Sequence, residues 1–196
     1  RTGLVGSEMC IRDSIYPEEP LFTDEQLPAK LISKTIKDIN QLSLTFPVPS
    51  LTEHYQSKPD RYITNILGHE GPGSLHAYLN EKGWIESLGA GSQSFDKNTS
   101  LIVINIAMTN QGAGKTDQII GAVFQYIDFL REQPLSESLY DEQASLADLE
   151  FQFVESASPM GVVYSLAPKL SETIVEDLLI APYLMKEFQP KKIKEY

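Results

Sequence analysis

The stretch Gly68-His69-Glu70-Gly71-Pro72-Gly73-Ser74-Leu75 constrains this chain more than any other. Pro72 has no backbone N–H and disfavours the helical region at Gly71, so a helix arriving here must kink or restart. The glycines on either side remove Cβ atoms and let a second backbone, or a ligand, come close. Beyond the bend, Leu75 and Leu79 stand one helical turn apart, with Ser74 placed as an N-cap and Gly83 just past the end. Pattern alone describes a helical corner with a solvated His-Glu pair. Pro59-Asp60 opens the helix that leads into it.

The segments around this corner carry strand and helix periods. From Gln41 to Val48, Leu42, Leu44, Phe46 and Val48 alternate with polar residues, the pattern of a half-buried strand, and Pro47 puts its end at a sheet edge. Residues 85–93 read as a weaker strand rich in small residues. Thr99 to Met108 reads as an interior strand, with Ile102, Ile104, Ile106 and Met108 on one side and Leu101 and Val103 on the other. Ile119, Ile120, Val123, Phe124, Ile127 and Leu130 then share a broad helical face. A second helix is expected from Ser136 to Phe153 with Leu139, Leu146, Leu149 and Phe153 as its stripe, and a third from Val162 to Leu170. A short amphipathic segment, Pro182 to Phe188, is expected to break at Pro190, leaving Lys191 to Lys194 as a solvated tip. Together these predict an α+β fold: a mostly antiparallel sheet with helices packed on one face.

At 196 residues the chain is long enough for one domain with a real core. Its 27 acidic side chains outnumber 16 basic ones, which argues against nucleic acid or an anionic membrane as a partner. No apolar run reaches the ~18 residues of a membrane span. Residues 1–14 fit neither a helical nor a strand period, and Glu8 to Ser14 looks like translated sequencing-adapter read-through. They are expected to be a non-native tail. Residues 15–30, with Pro17, Pro20 and Pro28, read as a linker, and 31–196 as a single domain. Cys10, the one cysteine, falls in the tail, so the remainder has no disulfide or thiolate metal site to offer.

Tyr62 to Gly91, YITNILGHEGPGSLHAYLNEKGWIESLGAG, resembles the second, non-catalytic domain of the pitrilysin and insulin-degrading-enzyme family of zinc metallopeptidases. The resemblance continues through Asn40 to Pro49 upstream and Phe124 to Ile127 downstream. It implies homologous α/β domains, four to a parent chain, arranged around a chamber. It also implies that the catalytic zinc belongs to the preceding domain of the parent. The signature His-x-x-Glu-His, two imidazoles and a base on one helix face, does not occur among His54, His69 and His76. The chain by itself is therefore expected to have no catalytic residue, no metal site and no cofactor. Gly112-Ala113-Gly114-Lys115-Thr116 sits between a strand and a helix as a phosphate loop would. The glycine that the full pattern needs is replaced by Thr109, so a polar turn accounts for it.

By resemblance, the region forms a peptide-anchoring exosite. Carried over by position, its residues are Asn65, Gly68 and Glu70 on the helical side and Leu88, Gly89, Ala90 and Gln93 on the strand. Asn65 departs from the family, where a histidine is common. The expected partners are peptide substrates and the other domains of the same parent chain. A zinc-less scaffold of the processing-peptidase type is the alternative, and a bacterial parent of the pitrilysin type would imply the periplasm.

Overall fold

The alternating stretches assemble into one antiparallel sheet in the computed structural model, which describes residues 21–196 apart from 24, 35, 37, 38, 97 and 156. The supposed tail, 1–14, and the first part of the linker lie outside the described residues. Strands β1 (Gln41–Pro49), β2 (Ile85–Ser94) and β3 (Thr99–Met108) pair in the order β1-β3-β2. The strand expected to be interior is the central one. Leu42, Leu44, Phe46 and Val48 alternate with exposed neighbours along β1, as the period requires. Pro47 and Pro49 fall on this edge strand, where a missing N–H leaves no gap in a central ladder. One irregularity interrupts β2, a bulge between Ile85 and Ser87, and from Ser87 on the register with β3 is regular.

Helices α1 (Pro59–Leu67), α2 (Leu75–Glu81), α3 (Asn110–Ala113), α4 (Thr116–Glu132), α5 (Glu137–Gln152), α6 (Pro159–Leu166) and α7 (Pro190–Ile193) complete the fold. The main core lies between the sheet and α1, α2 and α4. It joins Leu88, Ile102, Ile104 and Ile106 from the strands to Leu67, Leu75, Leu79, Ile119 and Val123 from the helices. Removing such side chains from water is the main stabilising contribution, about 1.5–3 kcal/mol for each when fully buried. Among the described residues no helix is long and apolar enough to cross a membrane.

Two expectations about the C-terminal half need correction. The stripe Leu146, Leu149 and Phe153 of α5 is exposed, and the buried residues are Tyr140, Gln143 and Ala147. The helix is turned by its aromatic anchor. The Tyr140 ring packs against Tyr62 and Phe188, and its hydroxyl donates to Ser57 O at 2.8 Å. Burying a tyrosine with its hydroxyl satisfied outweighs burying two leucines that find no facing surface. Pro182 to Phe188 forms only a short 3-10 turn, Ala181–Tyr183, and Pro190 begins a helix instead of ending one. Proline is pre-shaped for the first helical position, where its missing N–H costs nothing. Ile193 is consequently buried, while Lys191 and Lys194 stay exposed.

The segment before α1 is tied to the chain's C-terminal part by a buried carboxylate. Asp177 accepts from Tyr55 Oη at 3.0 Å and Gln56 Nε2 at 2.7 Å, and pairs with Lys186 Nζ at 3.2 Å. Those donors, Gln56 foremost, hold its carboxyl below the usual carboxylate range against the opposing effect of burial.

Candidate functional site

The corner is built as the sequence requires. α1 ends at Gly68, and Ser74 N–H donates to Gly71 O at 3.1 Å across Pro72 and Gly73. Proline in the second position and a glycine at φ 83° in the third make this a type II turn. The Ser74 hydroxyl accepts from Ala77 N–H at 3.0 Å and caps α2. At the other end of α2, Gly83 at φ 69° lets its own N–H reach Asn80 O while Trp84 N–H reaches Leu79 O. That pair of bonds is a Schellman motif, and it aims the chain into β2.

Around the strand-to-helix turn at residues 109–116, the backbone donors serve this same junction. Gly112 N–H donates to the Thr109 hydroxyl at 3.0 Å, and that hydroxyl donates to Gly83 O at 2.7 Å. Lys115 N–H is bound to Gly112 O and the Thr116 hydroxyl to Ala113 O. A Cβ on Gly112 would lie 1.8 Å from Trp84 O, so the glycine is there for a backbone crossing. These bonds hold the Gly112 and Lys115 amides and the Thr116 hydroxyl within the turn itself.

β2 occupies the outer position in the sheet, and its ladder fixes which groups face outwards. Phe95 N–H donates to Thr99 O, which puts the odd-numbered residues of β2 on the β3 side. The alternation of an antiparallel ladder then turns the main-chain groups of Leu88, Ala90 and Ser92 to the open edge. The same logic at β1, anchored by Met108 N–H to Asn40 O and Ser50 N–H to Asn98 O, leaves Pro47 and Pro49 facing out. That edge has lost two donors. The β2 edge keeps all of its own.

The residues inferred by position divide accordingly. Leu88 and Ala90 offer main chain to the edge while their side chains point under the helices, Leu88 buried and Ala90 half-buried. Gly89 and Gln93 have their main chain committed to β3 and are exposed on the sheet face opposite the helices. Gly68 lies beside the edge itself: a Cβ there would stand 3.2 Å from Ala90 N. Asn65 is half-buried on α1, and Glu70 is exposed on the turn just beyond Gly68. Ser92 also belongs to this edge although its sequence did not mark it. Its hydroxyl donates to Asp60 Oδ2 at the start of α1. The strand period would have found it, since it shares parity with Leu88 and Ala90.

Among the described residues no three of His, Cys, Asp or Glu converge to hold a metal ion.

Comparison with known proteins places this arrangement. The sequence profile described as "Peptidase M16 inactive domain" matches residues 12–146. Insulin-degrading enzyme of Homo sapiens is 36% identical over 179 residues, which are 91% of this chain and 18% of that protein. Insulin-degrading enzyme of Drosophila melanogaster is 34% identical over the same share of each. The crystal structure of pitrilysin superposes with a TM-score of 0.76 at 28% identity, covering 80% of this chain and 17% of that one. This chain thus spans less than a fifth of the length of the relatives it matches. It belongs to the peptidase M16 family, and the part of that family it matches is the inactive domain.

Proposed function

We propose that this chain is the non-catalytic second domain of a zinc metalloendopeptidase, and that it anchors extended peptides along the β2 edge. The zinc and its ligands are carried by the preceding domain of the parent. This domain walls the chamber and holds the peptide at a distance from the bond being cut. Support comes from the family and from a relative whose name says that it degrades insulin, a polypeptide. The observation that carries the reading is the edge itself. Main-chain groups of Leu88, Ala90 and Ser92 face outwards, and a glycine stands where a side chain would crowd the Ala90 amide. Adding a strand there supplies affinity through backbone hydrogen bonds and requires no particular peptide sequence.

Glu70 receives the peptide's amino terminus in this reading. An exposed pair of this kind is worth about 0.2–1 kcal/mol, rising towards about 3 once the peptide desolvates it. Acetylating a labelled peptide and replacing Glu70→Gln should therefore each weaken binding several-fold, and together no more than either alone, because both remove one contact. Fully additive losses, or no loss from either, would return Glu70 to the solvated surface.

A further inference from the structure

We propose that the polar pocket at the far end of β2 is a subsite for an acidic side chain of the bound peptide. The inference rests on the edge-anchoring reading and adds to it a preference for peptide sequence. The pocket, an open depression of about 310 Å³, is lined by the segment leading into α1, by Ser92 to Ser94 and by the turn around Lys169 to Thr173. Two lysines face it, Lys58 and Lys169, and neither forms an ion pair among the described residues.

Lys58 is set there at a conformational cost. Its backbone is left-handed, φ 40° and ψ 62°, in a residue that is not glycine, and this hands the chain into Pro59 at the start of α1. The side chain is partly withdrawn from water, which pushes its ammonium pKa down; Asp60 opposes the shift, while Arg61 and Lys169 add to it. A half-buried ammonium with a like-charged neighbour is a group that gains from an incoming anion. Of the carboxylates lining the pocket, Asp60 is engaged by the Ser92 hydroxyl, and Glu172 stands exposed at the rim. The lining thus holds two cations that form no ion pair among the described residues and two carboxylates, of which Asp60 already accepts the Ser92 hydroxyl. The Thr173 hydroxyl supplies a further donor for a carboxylate group.

The strand geometry brings the peptide to this place. The Ser92 side chain lies on the helical face, since it reaches Asp60. A residue of an added strand directly opposite Ser92 shares that face, so its side chain enters the pocket. Non-specific attraction does not explain such a preference, because the chain carries 27 acidic against 16 basic side chains and repels acidic peptides as a whole.

The test uses this chain and fluorescently labelled extended peptides with a free amino terminus, with Glu moved position by position through a Gln background. Anisotropy titrations should show Glu favoured over Gln at one position by about fivefold, the size of one half-buried ion pair. The preference should vanish in the Lys58→Asn/Lys169→Gln variant, asparagine being tolerant of the left-handed backbone, while sensitivity to amino-terminal acetylation persists. Lys169→Gln alone, which leaves the strained residue in place, should reduce the preference and keep the melting temperature. If no position prefers Glu, or if the preference survives both substitutions while acetylation still weakens binding, the subsite is refuted and the edge reading stands. If no peptide binds at all, both fall.

Discussion

Replacing Gly112 by alanine should be among the most damaging small changes available in this fold. The added Cβ would sit 1.8 Å from Trp84 O and 2.7 Å from Trp84 C, where ordinary contact begins near 3.4 Å. Both obstacles are backbone, so no flexible side chain can swing aside. Overpacking of a fitted contact costs about 1–3 kcal/mol, and this one belongs at the upper end. Against it stands about 0.4–1 kcal/mol gained because alanine restricts the unfolded chain. The net loss is about 2 kcal/mol, or roughly 4–8 °C in melting temperature for a domain of this size. Gly114→Ala is the internal control. Its Cβ would meet only Gln111 O, at 3.6 Å, and its backbone is right-handed at φ −77°, so its melting temperature should hold or rise slightly. Thermal unfolding followed by circular dichroism and Trp84 fluorescence reads both variants. A Gly112→Ala midpoint within a degree of the parent, or equal drops in the two variants, would refute the backbone-crossing account of this glycine.

Two further substitutions probe the frame around the site. Gly83→Ala places a Cβ at φ 69° and should cost about 1–2 kcal/mol; an unchanged midpoint in thermal melts would mean the Schellman turn can be replaced by another ending of α2. Asp177 has a depressed carboxyl pKa in the folded chain, so its contribution is fully present above its unfolded value of about 3.9 and is lost as pH falls through the folded one. Urea unfolding from neutral pH down into the acid range should therefore show a decline that is shallower in Asp177→Asn, and parallel curves for the two proteins would remove Asp177 from the acid response.

Much of the sheet was readable because its signals are local. Alternation in Gln41 to Val48 and in Thr99 to Met108 depends only on one buried face, and it gave the strands and the central place of β3. The corner was readable for the same reason, since Pro72, Gly73, Ser74 and Gly83 each have a conformational or capping role decided within a few residues. The inward face of α5 was not, because it is set by Tyr62 and Phe188, which lie far from Tyr140 in sequence. Pro190 is ambiguous in sequence, since proline ends one helix and begins another with equal ease, and only Ile193 finding a buried place decides between them. At the site, small residues marked the strand, but which of its amides point outwards depends on pairing with β3. That divided Leu88 and Ala90 from Gly89 and Gln93, and added Ser92.

Residue-resolved amide exchange tests the edge most directly. In the free chain, the amides of Leu88, Ala90 and Ser92 should exchange faster than those of Gly89, Gly91 and Gln93, which are held by β3. A saturating extended peptide with a free amino terminus should slow the even-numbered set and leave the odd-numbered set unchanged. Protection that appears on neither set, or on the odd-numbered residues alone, would contradict strand addition at β2.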